Sequence, residues 1–191
     1  EIQQDQLMKL LHYARHTEFG KKYSFGEIRS ISEYRKRVPL FHYEEYKTFI
    51  DMTREGQQNV IWPTSISWFA KSSGTTDGKS KFIPVTSEGL SKCHYRGGTD
   101  TLAVYSALFP DNRLFTGKCL TLGGSNQIDT ENKGMHIGDL SAILIQNMPF
   151  YVHAVRTPGR KTALLSNWDE KLEKLTREVV RKNVTSFAGV P

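Results

Sequence analysis

Apolar residues at Ile2, Leu7, Leu10, Leu11 and Ala14 recur among polar ones at near-helical spacing, which predicts an amphipathic helix over residues 2–16. Residues 17–29 read as a Gly-punctuated turn. Ser32 is the expected cap of a short helix reaching Arg37, ahead of Pro39. His42 to Arg54 is a further helical stretch, closed by Gly56. Trp68 to Ser72 and Lys81 to Val85 are β-prone and predict two strands around a loop. Thr86 or Ser87 then caps a helix over residues 88–108, with Leu102, Val104, Tyr105 and Leu108 facing a core. Gly97-Gly98 costs about 1 kcal/mol per glycine against alanine, so a break or a close packing contact is expected there.

Lys118 to Leu122 reads as a buried strand ended by Gly123-Gly124-Ser125. A glycine pair at the carboxyl end of a strand is either a ligand-binding place in an open α/β sheet or a plain turn. Residues 126–137 are polar and contain glycine, and read as a loop. Leu140 to Met148 is a helix or short apolar segment halted by Pro149, Phe150 to Val155 reads as a strand, and Pro158-Gly159 as a turn. Asn167 is the expected cap of an amphipathic helix from Trp168 to Lys182, and Val184 to Ala188 is a last strand. Strands alternating with helices argue an α/β fold, a mainly parallel sheet with flanking helices. The expected division is a helical segment over 1–63 and an α/β subdomain over 64–191.

The stretch from Ser72 to Pro84 carries the chemistry. Hydroxyl residues, Gly74 and Gly78, and Lys79 and Lys81 fall together between apolar flanks. Glycines let backbone N–H groups approach an anion, hydroxyls donate further hydrogen bonds, and lysine adds charge. The expected ligand is a phosphate. Gly74 to Ser80 reads G-x-x-x-G-K-S, one residue short of the Walker loop, and Lys81-Phe82-Ile83-Pro84-Val85 continues as strand where a Walker loop needs a helix.

Ser-Ser-Gly-Thr-Thr-x-Gly-x-x-Lys resembles the phosphate-binding signature of the acyl-adenylate-forming superfamily. Phe69 to Thr76 with Lys81 to Thr86 resembles more narrowly the Gretchen Hagen family of auxin-responsive acyl-acid amido synthetases, with a bacterial member expected. Thr17-Glu18-Phe19-Gly20-Lys21-Lys22-Tyr23, Val38-Pro39-Leu40 followed by Tyr43-Glu44, Gly56 to Trp62-Pro63, and the final Ala188 to Pro191 extend the resemblance over nearly the whole chain.

The resemblance implies the N-terminal part of an adenylate-forming large domain behind a helical prelude that does no chemistry. It also implies ATP and Mg²⁺, a small carboxylic acid made into acyl-AMP, and an amino acid amine as acyl acceptor. On this pattern Ser72, Ser73, Thr75 and Thr76 bind the β- and γ-phosphates, Gly74 and Gly78 permit the approach, and Lys81 steadies the loop or the phosphate charge. Arg96 stands as a clamp for the acid's carboxylate, or as a surface ion pair. Val190 and Pro191 border the acyl pocket. The adenine, ribose and Mg²⁺ ligands and the catalytic residues of this family belong beyond residue 191, so the 191 residues alone are expected not to turn over. An acyl-CoA-type ligase shares the same loop, and a nucleotide-binding module without chemistry is the other alternative.

Composition changes this picture little. The chain has 191 residues, 38% hydrophobic and 24% charged, as in an ordinary globular protein. No apolar run approaches the roughly 20 residues that span a bilayer. The net charge of +6 comes from basic residues spread along the chain, without the block or aromatic signature of a nucleic-acid binder. Cys93 and Cys119 lack metal spacing and suit a reducing cytoplasm. His12 and His16, at i,i+4, lack a third ligand nearby. The start without Met and the stop after an apolar run lead us to expect a piece of a longer protein.

Overall fold

The computed structural model describes residues 1–72, 80–129 and 135–189. They fall into two compact units, the first mainly Glu1–Phe69, the second mainly Ser87–Ile128 and the residues from His136 onward.

In the first unit, α1 (Ile2–Ala14) buries Leu11 and Ala14, while Ile2 and Leu10 stay 86% and 44% exposed. Its buried stripe is therefore narrower than the apolar spacing implies. Residues 17–29, expected as a turn, hold α2 (Glu18–Lys22) and a 3-10 turn at Phe25–Glu27. Thr17 is the reason. Its buried hydroxyl donates to the Ala14 carbonyl at 2.7 Å and accepts the Gly20 N–H at 2.9 Å, ending one helix and capping the next. Gly20 then passes so near α1 that a Cβ would stand 2.0 Å from the Ala14 carbonyl oxygen. Beside it, the Phe19 ring packs against Tyr23, Phe25, Phe41, Tyr46 and Phe49, with centroids 4.8–5.9 Å away and mostly edge-on. Burial there, with Tyr34 nearby, pushes the Tyr46 hydroxyl up to about 12.

α3 (Ile31–Arg37) is capped by Ser30 rather than Ser32: Ser30 Oγ accepts the Glu33 N–H at 3.1 Å. Ser30 stands three residues before Glu33, the spacing of a capping box. α4 (Tyr43–Arg54) begins where the His42 N–H donates to Glu45 Oε2 at 2.7 Å, and Gly56, at φ 90°, turns the chain beyond its end.

The strands are β1 (Trp68–Lys71), β2 (Phe82–Val85), β3 (Lys118–Thr121), β4 (Asn126–Asp129), β5 (Met135–Gly138), β6 (Arg156–Thr157) and β7 (Val184–Ala188). One sheet has the order β2-β1-β5-β4 and the other β6-β3-β7. The second is parallel throughout, as the α/β expectation requires: Cys119 pairs with Arg156 on one side and Ser186 on the other, and Leu120 with Thr157 and Phe187. Residues 126–137, read as a loop, include β4 and β5. Phe150 to Val155, read as a strand, forms a 3-10 turn over Phe150–Ala154, because Pro149 sets φ near −55° and its carbonyl accepts the Val152 N–H.

The second unit's helices are α5 (Ser87–Gly89), α6 (Arg96–Leu108), α7 (Leu140–Asn147), α8 (Arg160–Ala163) and α9 (Trp168–Val179). A π-helical turn at Leu90–Tyr95 joins α5 to α6, and α6 runs unbroken through Gly97-Gly98. The irregularity expected at the glycines lies just before them. Leu102, Val104, Tyr105 and Leu108, expected to face a core, are 41–69% exposed, and α6 buries none of its residues. Apolar spacing marks a face and does not say what covers it. α7 carries the unit's core, with Ala142, Ile143 and Ile145 at most 2% exposed. Asn167 caps α9 through the Glu170 N–H at 2.9 Å, and Glu178 takes the Gly159 N–H at 2.8 Å and the Thr162 hydroxyl, tying α9 to the turn before α8.

No helix among the described residues is long and apolar enough to cross a membrane.

Candidate functional site

The stretch expected to bind phosphate lies in sequence between β1 and β2. Phe69 and Ala70, 0% and 7% exposed, fix the outgoing strand in the interior, and Ser72 follows half-buried. Ser73, Gly74, Thr75, Thr76 and Gly78 lie outside the described residues. The chain resumes at Ser80 and Lys81.

The returning arm is held by α4, in three ways. Tyr43 Oη accepts the Phe82 N–H at 2.8 Å and faces the Phe82 carbonyl at 3.4 Å. The Arg54 guanidinium stacks on the Phe82 ring, 3.8 Å from its centroid, a cation–π contact. Lys81 Nζ lies 5.5 Å from the centroid of the Tyr43 ring. Strand β2 is therefore clamped from ring to backbone at its first residue, and the lysine is kept at the root of the loop. Val85, 8% exposed, secures the other end of the strand. Removing the hydroxyl in Tyr43→Phe leaves the Phe82 N–H without its acceptor and is expected to lower stability by about 1 kcal/mol. An unchanged urea midpoint at unchanged slope would show that the hydroxyl does not hold the arm.

Arg96 opens α6. Its side chain is 71% exposed, and Nε donates to both Asp100 carboxylate oxygens at 2.9 and 3.0 Å, one turn along the helix. The preceding Tyr95 donates its hydroxyl to the Leu144 carbonyl at 2.9 Å, fixing the π-helical turn to α7, and burial pushes that hydroxyl up to about 12. Val190 and Pro191 lie outside the described residues.

Gly123-Gly124-Ser125, weighed as either a ligand place or a turn, spends its polar groups internally. The Gly124 N–H donates to Ser141 Oγ at 3.0 Å, the Ser125 N–H to Asp139 Oδ2 at 3.2 Å, and the Gly123 carbonyl accepts Lys171 Nζ at 2.8 Å. A Cβ on Gly123 would meet Ile145 Cδ1 at 2.4 Å, and one on Gly124 would meet Asp139 Oδ2 at 1.9 Å. These glycines serve close packing. Lys171, 4% exposed, has its pKa lowered by burial, with the Asp139 carboxylate opposing.

Tyr43 and Arg54 carry no sequence signal as supports of the returning arm. Tyr43 stood in a stretch of family resemblance, and nothing in the spacing linked it to Phe82, 39 residues on. No group of three or more His, Cys, Asp or Glu suited to a metal occurs among the described residues.

The fold is that of an acyl-acid amido synthetase N-terminal domain. The profile of the GH3 family N-terminal domain matches residues 1–188, and the chain belongs to the GH3 family. It is similar to indole-3-acetic acid-amido synthetase GH3.15 of Arabidopsis thaliana, 31% identical over 93 residues that cover 48% of this chain and 16% of the relative. Jasmonoyl--L-amino acid synthetase GH3.5 of Oryza sativa subsp. japonica is 30% identical over 136 residues, 68% of this chain and 22% of the relative. Jasmonoyl--L-amino acid synthetase JAR4 of Nicotiana attenuata is 26% identical over 167 residues, 83% of this chain and 27% of the relative. The chain thus spans about a quarter or less of the length of these relatives. The solved structure of the GH3.15 acyl acid amido synthetase shares the fold, with a TM-score of 0.68 at 20% identity over 87% of this chain and 29% of that one. The Arabidopsis enzyme's structure in complex with 2,4-DB gives 0.64 at 24% identity over 77% and 25%.

Proposed function

We propose that the chain is the phosphate-binding N-terminal portion of an ATP-dependent acyl-acid amido synthetase. The observation that carries the proposal is the Ser/Thr/Gly loop between β1 and β2 in a chain of the GH3 family. Relatives named for indole-3-acetic acid and for jasmonoyl–amino acid products supply the substrate classes, an organic acid and an amino acid.

In this reading a carboxylate oxygen of the acid attacks the α-phosphorus of ATP, and the bond to pyrophosphate breaks. The amine nitrogen then attacks the acyl carbon, AMP leaves with the bonding pair, and the amine gives up a proton to a base outside this segment. Ser72, Ser73, Thr75 and Thr76 hold the β- and γ-phosphates, Gly74 and Gly78 admit them, and Lys81, set over Tyr43, adds charge. Mg²⁺, if bound with the nucleotide, would offset part of the phosphate charge, with its protein ligands expected outside this segment. Arg96 receives the acid's carboxylate by exchanging its Asp100 partner, and Val190 and Pro191 border the acid. Adenine, ribose and the second half-reaction fall to residues beyond this segment, so residues 1–191 alone do not turn over.

The test uses the longest natural chain containing this segment, with ATP, a panel of small carboxylic acids and amino acids. Acid-dependent release of AMP and pyrophosphate is expected, with an amide product by mass. Ser73→Ala or Thr75→Ala is expected to slow AMP formation by about 100-fold, the scale for losing one donor to a developing anion. Release of ADP and phosphate would overturn adenylation. A thioester formed only with coenzyme A would favour the acyl-CoA-type ligase, and tight nucleotide binding without turnover the module.

A further inference from the structure

The first unit holds a cleft of about 400 Å³ between α1 and the 3-10 turn, lined by Met8, Leu11, His12, Arg15, Phe25, Gly26, Ile28 and Arg29. Its floor and its rim differ in chemistry. Leu11, Phe25 and Ile28, at most 8% exposed, belong to the unit's hydrophobic core and give the cleft an apolar base, with Met8 beside them. Two guanidinium groups stand at the rim, each pinned to the backbone through one nitrogen. Arg15 Nη1 donates to the His12 carbonyl at 2.5 Å, and Arg29 Nη1 donates to the Gly26 carbonyl at 2.7 Å and the Ile28 carbonyl at 3.1 Å.

Neither guanidinium has a carboxylate partner among the described residues. The carboxylates near Arg29 are committed: Glu27 pairs with Arg37 at 2.6 Å, and Glu33 accepts the Arg29 backbone N–H at 2.7 Å. A guanidinium held by a carbonyl keeps further N–H donors in a planar fork that suits a carboxylate. A cleft of this size that joins apolar side chains to a few charged ones is a usual form of small-molecule site.

We infer that this cleft binds a small amphipathic carboxylate, its apolar body over Leu11, Phe25 and Ile28 and its head group between Arg15 and Arg29. The inference is independent of the phosphate loop and of any turnover. The probe is 1-naphthoate, titrated into the chain by calorimetry beside the neutral 1-naphthamide, with sulfate and AMP as competitors. Saturable naphthoate binding is expected, with the amide weaker by about tenfold or more, the value of one charge-assisted hydrogen bond. Arg15→Gln with Arg29→Gln is expected to weaken naphthoate by a similar factor, with the thermal midpoint confirming that the variant folds. On the unmodified chain, naphthoate is expected to shift the backbone amide NMR signals of Leu11, His12 and Gly26, a readout that does not depend on any variant. Equal binding of acid and amide, or shifts confined to residues elsewhere, would overturn the inference. So would no binding at millimolar naphthoate, displacement by equimolar sulfate, which marks a plain anion site, or by equimolar AMP, which marks a nucleotide site.

Discussion

Gly20→Ala is expected to destabilise the chain by about 3 kcal/mol, at the upper end of what overpacking costs. The added methyl would stand 2.0 Å from the Ala14 carbonyl oxygen and 3.0 Å from its carbon, and these are backbone atoms at the end of α1. No rotamer change relieves such a contact. Either α1 or α2 must shift, and the Thr17 hydroxyl, bonded to both the Ala14 carbonyl and the Gly20 N–H, ties the two together. Gly26→Ala is the control, because a Cβ there meets nothing within 4 Å. Urea denaturation of both variants checks the prediction, and it fails if Gly20→Ala unfolds no more readily than Gly26→Ala.

Phe19→Ala is expected to cost about 3 kcal/mol, through lost burial and the cavity left behind. The ring touches Tyr23 just after α2, Phe25 of the 3-10 turn, and Tyr46 and Phe49 of α4, so its loss loosens elements well separated in sequence. Phe19→Leu, which keeps most of the volume, is expected to cost about half as much. Equal losses for the two would mean that the cluster does not depend on filling that volume. Because α4 also carries Tyr43 and Arg54, loosening it bears on Phe82 at the start of β2 as well.

The features legible in the sequence were those with a local cause. α1, α4, β1, β2, β3, β7 and the Asn167 cap follow from apolar spacing, β-prone runs and a side chain bonding three residues on. The loop that carries the proposed function is an expectation from residue types, and Ser73 to Lys79 lie outside the described residues. What escaped depended on partners distant in sequence or on short signals. β5 offers only Met135 and Ile137, both buried, on either side of His136, too brief an alternation to stand out in a polar stretch. Ser30, with Glu33 completing its signature, competes with Ser32 two residues on, and only the hydrogen bond decides between them. Phe150 to Ala154 has strand-like residues, and the proline before them decided otherwise.

Burial was the least legible property. The apolar face of α6 lies exposed, while Arg156, a charged residue in sequence terms, is 6% exposed with Nε, Nη1 and Nη2 lacking hydrogen-bond partners among the described residues. Burial lowers its pKa, against the influence of Cys119, its register partner on β3. A buried charge opposes folding unless it is paired, and no spacing rule announces one. The contacts of Tyr43 and Arg54 with Phe82 were likewise not legible, because they join residues far apart in sequence.

The π-helical turn at Leu90–Tyr95 has a further consequence for Arg96, which follows it directly. Such a turn amounts to one residue inserted into an α-helix, and each residue advances the helix by about 100°. The slip sets the azimuth of everything downstream, so Arg96 and Asp100 share a heading determined before α6 begins. Indels in Leu90–Tyr95 thus act as a dial for that helix, swinging its charged pair about the axis in fixed steps while leaving both side chains as they are.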